Sequence, residues 1–213
     1  MSATNPLSSR LAAGLTQLGL PLEEGQQQKL LAFVDLLQKW NRKFNLTAIR
    51  DPLAMVNQLL LDALAAIPYI TRGPVLDVGT GAGLPGLPLA MACPNLAFTL
   101  LDSNGKKIRF IKQVLIELQI DNVDVVQSRV EAFQPAAPFA TIVSRAYADM
   151  GKLVNSTSHL LSREGYWLAW KGELNNAELL QAEQDAQVDA VIPLKIPGVS
   201  RPRHLVKLRH LAG

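Results

Sequence analysis

Apolar side chains follow two rhythms along the chain. Up to about residue 70 they recur every three or four positions. Leu7, Leu11, Leu15 and Leu18 form one stripe, which Gly19 and Pro21 end. Leu30, Phe33, Leu37, Trp40 and Phe44 form a second stripe, and Met55, Leu59, Ala63 and Ile67 a third. Asp51 stands where a carboxylate caps the third helix. Pro52 suits its first position, where the missing N–H would have no helical partner. All three stripes read as core. Beyond residue 73 the pattern changes: aliphatic runs at 74–78, 97–101, 123–126, 139–143 and 166–170 alternate with helix-length segments, one marked by Ile108, Ile111, Leu115 and Leu118. This alternation predicts an α/β fold, a mostly parallel sheet with helices on both faces. Runs at 186–192 and 204–209, joined by the turn-rich PLKIPGVSRP, predict an antiparallel hairpin at the sheet edge. The expected organisation is an N-terminal helical extension over 1–70 and a sheet domain over 71–213.

Composition narrows the class. The 213 residues are 48% apolar and 18% charged, enough to bury an ordinary core. Leucine-rich stretches such as Leu59-Leu60-Leu61 are interrupted by Asp62 and Pro68, so no membrane span is expected, and MSATNPLSSR lacks the features of a signal peptide. The single Cys93 permits no internal disulfide and no cysteine-built zinc site, and His159, His204 and His210 are scattered, so no metal is expected. A cytoplasmic monomer is the expectation. The net charge of +3 identifies no partner, but its distribution is uneven. Lys195, Arg201, Arg203, Lys207 and Arg209 lie in an acid-free C-terminal stretch, and Lys106, Lys107, Arg109 and Lys112 cluster after Asp102. Each cluster alone suits a solvated face.

The candidate chemistry lies in LDVGTGAGLPGLPLA, residues 76–90. Glycines let backbone turn sharply and approach a ligand closely, but such loops also occur for structural reasons alone. Gly81-Ala82-Gly83-Leu84-Pro85-Gly86 spells a dinucleotide fingerprint, with Asp102 at about the expected distance. That motif should begin directly off the strand. Here it starts after Asp77-Val78-Gly79-Thr80, and Pro85 removes an N–H where a pyrophosphate would want one. Asp77, Gly79, Gly81 and Gly83 fit a methyl-donor loop better. Its ligand, S-adenosylmethionine, carries no phosphate, Asp77 can face its cationic end, and Asp102 can accept both ribose hydroxyl protons. In a doubly wound sheet the ligand sits beyond the C-terminal strand ends. That puts the glycine loop, Asp102, residues 127–131 and Ser144-Arg145 on one rim.

The sequence closely resembles the bacterial RsmG family, or glucose-inhibited division protein B, over nearly its whole length. The resemblance rests on KWNRKFNLTAIRDP (39–52), LDVGTGAGLPGLPLA, LLDSNGKKIRFI (100–111), QSRVEAF (127–133), VSRAYA (143–148), LAWKG (168–172) and RHLVKLR (203–209). It implies a class I, Rossmann-like S-adenosylmethionine-dependent methyltransferase fold. It implies that Gly79 and Leu84 line the cofactor, that Val130 and Glu131 lie by its adenine, and that Arg145 sits at the active-site mouth. The implied substrate is 16S rRNA of the small ribosomal subunit, and the target N7 of a guanine in the 530 loop.

The residues agree with that chemistry. Guanine N7 has a free lone pair and no proton, so direct attack needs neither general base nor covalent intermediate. Pyrimidine C5 methylation would want a cysteine at the rim, whereas Cys93 in MACPN is placed at the opposite end of the sheet. The Asn/Asp-Pro-Pro loop of amine methylases is replaced by Ser144-Arg145-Ala146-Tyr147. Methylation of a hydroxyl stays open. Arg145, the candidate catalytic residue and a cofactor neighbour, admits two roles: pairing with Glu131 or Asp149, or bonding guanine O6 or a phosphate. Lys106, Arg109, Arg129, Lys171, Arg201 and Arg203 are candidate phosphate contacts. Tyr147 suits base stacking or packing, and Asn45 and Thr47 suit a turn. The competing functions are an NAD(P)-dependent oxidoreductase and a non-catalytic RNA-binding assembly factor.

Overall fold

The structure, a computed structural model, describes residues 5–145 and 149–211. Helix α1 (Pro6–Leu18) starts where the Asn5 side chain accepts the Leu7 N–H and ends on Gly19 at φ +67°. Leu11 and Leu15 are buried; Leu7 and Leu18 pack at its margin. Helix α2 (Glu24–Phe44) opens with Glu23 N–H donating to Gln26 Oε1 at 2.9 Å and closes on Asn45 at φ +48°. Leu30, Phe33 and Leu37 are buried and Trp40 half-buried, as their spacing predicts, but Phe44 is 42% exposed. It is the last residue of the helix, where the chain turns back toward the sheet and leaves that ring uncovered.

The third helix begins as expected, the Asp51 carboxylate accepting the Ala54 N–H at 2.7 Å ahead of α3 (Pro52–Met55). It does not continue as a plain α-helix. A π-helical segment, Val56–Leu61, intervenes before α4 (Asp62–Leu64), and the Asp62 N–H bonds five residues back to Asn57 O. Met55, Leu59 and Ala63 are buried, and so are Val56, Leu60, Leu61 and Leu64, so apolar side chains surround this rod. The stretch Pro52–Tyr69 has the length and mean hydropathy, 1.2, of a short membrane span, contrary to the expectation from interrupted runs. Half of it is buried inside the protein, as a core helix requires.

Seven strands form one sheet in the order β3-β2-β1-β4-β5-β7-β6. Strands β1 (Val75–Val78), β2 (Phe98–Asp102), β3 (Val123–Gln127), β4 (Phe139–Ser144) and β5 (Leu161–Lys171) are parallel. Strand β7 (His204–Arg209) inserts antiparallel between β5 and the edge strand β6 (Gln187–Pro193), which gives the expected hairpin. Strand β5 is longer than its apolar run because its first residues re-pair with β4 through a register shift between Phe139 and Thr141. Helices α5 (Gly86–Ala92) and α6 (Gly105–Leu118) cover one face together with α1–α4. Helices α7 (Met150–Thr157) and α8 (Asn176–Ala182) cover the other. Along β5, Tyr166, Leu168 and Trp170 enter the first core and Trp167 and Ala169 the second. The N-terminal helices therefore share the first core with the sheet.

Candidate active site

Beyond Val78 the chain turns through Gly79, Gly81 and Gly83, at φ +68°, +61° and +81°. The Gly79 and Thr80 N–H groups donate to Leu101 O at 2.9 and 3.1 Å, which docks the loop onto β2. A Cβ on Gly79 would meet nothing within 4 Å, so bare backbone faces open space there. At Gly83 a Cβ would lie 2.3 Å from Leu87 Cδ1, so this glycine serves close packing instead. Leu84 is buried.

Asp77 is not on the open side of the loop. It is 0% exposed, and its Oδ2 accepts from Thr80 Oγ1 at 2.6 Å and from the Gly86 N–H at 2.8 Å. Among the described residues its Oδ1 has no hydrogen-bond partner, and burial pushes the carboxyl up to about 6. The expectation that Asp77 faces the cationic end of a ligand gives way to an internal role. Its carboxylate sits under the loop at the start of α5, because a four-residue strand ending in a tight turn directs it inward.

Asp102, at the end of β2, does face outward into a cavity of about 360 Å³. Its Oδ2 accepts the Gly81 N–H at 2.9 Å and lies 3.7 Å from Lys107 Nζ; its Oδ1 accepts the Asn104 N–H at 2.8 Å. Each oxygen keeps a further lone pair. Val78, Gly79 and Leu101 line the same cavity, and Ser128, Arg129, Val130 and Glu131 form its far wall. Val130 and Glu131 thus share one cavity with Gly79 and Asp102, and Arg129 joins it rather than a separate phosphate-binding surface. Gly81 adjoins it through Lys107, while Gly83 and Leu84 belong to the packed part of the loop.

A second cavity, also about 360 Å³, opens beyond the ends of β4, β5 and β7; next to it Ser144 Oγ donates to Val78 O at 3.2 Å. Arg145, Lys171 and Arg203 line it from the strand ends, and Gln58, Leu59 and Asp62 from the π-helical rod. The turn 47–49 closes it. Asn41, buried on α2, holds that turn by donating to Thr47 O and Ile49 O and accepting the Thr47 N–H. Thr47 Oγ1 accepts the Ile49 N–H, and Asn45 caps α2 with Oδ1 on Arg50, so both fix the turn as expected.

Asp62 organises this cavity. It is 3% exposed, with Oδ2 at 3.5 Å from Arg145 Nη1 and Oδ1 at 3.3 Å from Arg203 Nε. Burial pushes its carboxyl above the ordinary range against the pull of both guanidiniums, and burial likewise lowers Arg145. Arg145 Nη1 also donates to Gln58 O at 3.2 Å. Its carboxylate partner is therefore Asp62 rather than Glu131 or Asp149, and it lines the second cavity, apart from Gly79 and Asp102 in the first, where a cofactor contact was expected for it. Asp149 caps α7 instead. Lys171 pairs with Glu178, while Lys106, Arg109 and Arg201 are exposed outside both cavities. Tyr147 lies outside the described residues. Asp62, Asn41 and Gln58 escape the motif reading. The signal for Asp62 was a lone acid inside an apolar helical run, a residue type almost never buried unless paired.

Cys93 ends α5, and its carbonyl accepts from Asn122 just before β3, at the end of the sheet opposite both cavities.

Solved structures share the fold. The glycopeptide N-methyltransferase MtfA complexed with S-adenosyl-L-homocysteine matches with TM-score 0.60 at 16% identity, over 71% of this chain and 89% of that one. The ribosomal protein L11 methylase of Lactobacillus delbrueckii subsp. bulgaricus matches with TM-score 0.56 at 19% identity, over 72% and 79%. The sheet is that of the class I S-adenosylmethionine-dependent methyltransferases. Sequence relatives are nearer. The ribosomal RNA small subunit methyltransferase G of Pseudomonas aeruginosa (strain LESB58) is 49% identical over the full length of both chains. That of Laribacter hongkongensis is 48% identical over 95% of this chain and 98% of its own. Residues 26–206 match the GidB family model, described as rRNA small subunit methyltransferase G, and the chain belongs to that family.

Proposed function

We propose that this chain transfers the methyl group of S-adenosylmethionine to N7 of a guanine in the 530 loop of 16S rRNA, by direct in-line attack. Family membership supports the coarser part: the chain is an S-adenosylmethionine-dependent rRNA methyltransferase. The observation that carries the finer part is the pair of cavities at the strand ends: one beyond β1, β2 and β3 suits a neutral ribose and adenine, and the other, beyond β4, β5 and β7, is lined by guanidiniums.

The first cavity fits the donor. Gly79 presents backbone without a Cβ, Asp102 offers a lone pair on each oxygen to the ribose hydroxyls, and Val130 gives an apolar wall for the adenine. When bound, S-adenosylmethionine supplies an electrophilic methyl group on a sulfonium. A dinucleotide fits less well, because the Asp77 carboxylate already takes the Gly86 N–H at the α5 N-terminus, where a pyrophosphate would sit. In the second cavity, Arg145 holds Asp62 and Gln58 O through Nη1 and keeps other N–H groups for guanine O6 or a phosphate. Asp62 fixes both guanidinium forks, so their orientation is set before RNA arrives. Nothing need remove a proton, since N7 carries none. Cys93 is too distant to act as a nucleophile.

Small subunits from a strain lacking this enzyme should accept labelled methyl groups, and nuclease mapping should place them at one N7-methylguanine in the 530 loop. A label on a different nucleotide, or on an exocyclic or sugar atom, would overturn the assignment.

A further inference from the structure

The second apolar stripe ends in a way that burial does not explain. Phe44 follows Leu30, Phe33, Leu37 and Trp40 in register, yet it is 42% exposed, its ring centroid 5.2 Å from that of Trp40. The two rings, with Lys39 and Lys43, form an open groove against Gln113 and Glu117 of α6. Leaving an aromatic ring in water forgoes about 25 cal/mol per Å² of apolar area. The neighbours that flank it are cations.

The groove has a definite place in the fold. Lys29, early in α2, donates to Gln119 O at the C-terminal end of α6, whereas Trp40 packs on Phe110 nearer the other end, centroids 5.6 Å apart. The two helices are therefore antiparallel, with Trp40 beside Phe110. Lys39, Arg42 and Lys43 on α2 are exposed, as are Lys106, Arg109 and Lys112 on α6. Acids are few here: Glu117 accepts from Gln113 Nε2 at 2.7 Å, and Asp35 lies one turn before Lys39. Asn41, on the same turn of α2 as Phe44, holds the 47–49 segment that walls the second cavity. The groove shares no lining residue with that cavity, and the C-terminal end of α2 with the 45–49 segment connects the two.

We propose that this groove docks single-stranded rRNA flanking the methylated base, with Phe44 stacking an unpaired base and Lys39 and Lys43 contacting adjacent phosphates. Every base has a π-face and every nucleotide a phosphate, so the groove adds affinity with little sequence preference and leaves target choice to the second cavity. The proposal rests on the reading of the chain as an rRNA methyltransferase.

Equilibrium binding of protein-free, transcribed 16S rRNA to the full chain, with S-adenosylhomocysteine present and salt varied, tests it. Phe44→Leu should weaken binding about fivefold to tenfold, the low end of what base stacking contributes, and Phe44→Tyr should bind as wild type does. Lys39→Ala/Lys43→Ala should reduce the slope of log affinity against log salt by roughly 1.4, at about 0.7 per single-strand phosphate. Neither change should alter S-adenosylhomocysteine affinity or kcat at saturating RNA. Wild-type binding by Phe44→Leu, or an unchanged salt slope in the lysine variant, overturns the proposal. The slope measurement decides alone if Phe44→Leu fails to fold. A loss seen with intact subunits but not with protein-free RNA also overturns it, since the groove would then dock a ribosomal protein. Wild-type protein that binds RNA through the groove but transfers no methyl group would overturn the methyl-transfer reading and leave the groove standing.

Discussion

Asp77 and Asp102 end adjacent strands, and burial gives them opposite work. Asp102 keeps one free lone pair per oxygen toward the first cavity, while Asp77 is enclosed beneath the loop. On the proposed reading, replacing Asp102 by Ala removes a charged acceptor from two ribose hydroxyls. At about 1.5–3 kcal/mol for each such bond, S-adenosylhomocysteine affinity should fall at least on the order of a hundredfold by calorimetric titration. An affinity within threefold of wild type would remove Asp102 from the ribose. Asp77 makes a different prediction, because its carboxyl titrates at about 6 in the folded protein against an ordinary 3.8. A raised folded value means that the native state holds this proton more tightly than the unfolded chain. The stability Asp77 contributes is therefore complete below pH 4 and is lost as pH rises through 6, to an extent of about 3 kcal/mol. Asp77→Asn does not titrate. Between pH 4 and 7 the unfolding free energy of wild type should fall relative to that variant, as urea denaturation would measure, and parallel curves would contradict the assignment. Spacing located both acids, but not which one the loop encloses, because that depends on the direction in which a short strand delivers each side chain.

The elements differ in the same way in what could be read from the chain. Helices α1 and α2 were legible because each buries one face, which leaves a period of 3.6 in the apolar positions, and the central strands because burial on both faces makes them short unbroken aliphatic runs. The π-helical segment left no such mark, because a rod buried on nearly all sides has no polar face to betray an extra residue in its turn. That segment shapes half the site. It supplies Gln58 to the second cavity and sets Asp62 just past its end, and the carbonyls of both are taken by side chains from the sheet region: Gln58 O by Arg145, and Asp62 O by Trp170 Nε1 at 3.1 Å. The motifs identified Arg145 and Arg203 but not what holds them, since their anion comes from a helix about eighty residues earlier in the chain than Arg145. Asp62→Asn keeps the shape and removes the charge, leaving two guanidiniums facing each other without a counter-ion. Methyl transfer, as kcat/KM for RNA, should drop at least roughly tenfold, the scale of one lost charged contact. S-adenosylhomocysteine affinity should stay within about twofold, because the first cavity does not touch Asp62. Equal losses in both would mean that the carboxylate supports the whole rim rather than the RNA side of it.

For the whole molecule, the change of period near residue 70 suggests two units, and the packing argues for one. Leu11, Phe33, Leu37 and Leu61 from the helical region lie in the same core as Phe98, Leu100, Phe110 and Trp170 from the sheet region. Gly14 of α1 approaches Leu61 so closely that a Cβ there would lie 2.3 Å from its Cδ1. Gln26 of α2 donates to Met91 O and Ala92 O at the end of α5, at 3.1 and 3.0 Å. A segment whose apolar face is covered mainly by the rest of the chain loses that burial if it separates, so the helical region has no separate core to fall back on, whereas the sheet region keeps the second core under α7 and α8. The three tryptophans make this testable, since Trp40 sits in the helical region and Trp167 and Trp170 in the sheet. Urea unfolding followed by tryptophan fluorescence and by far-ultraviolet circular dichroism should give one transition with coincident midpoints. S-adenosylhomocysteine at a hundred times its dissociation constant should raise stability by about 2.7 kcal/mol on both probes alike, although the first cavity is built from the sheet region alone. If the ligand shifts a second transition and leaves an earlier one in place, the helical extension unfolds independently. The coupling between Asp62 and the strand-end arginines would then have to survive without a shared core.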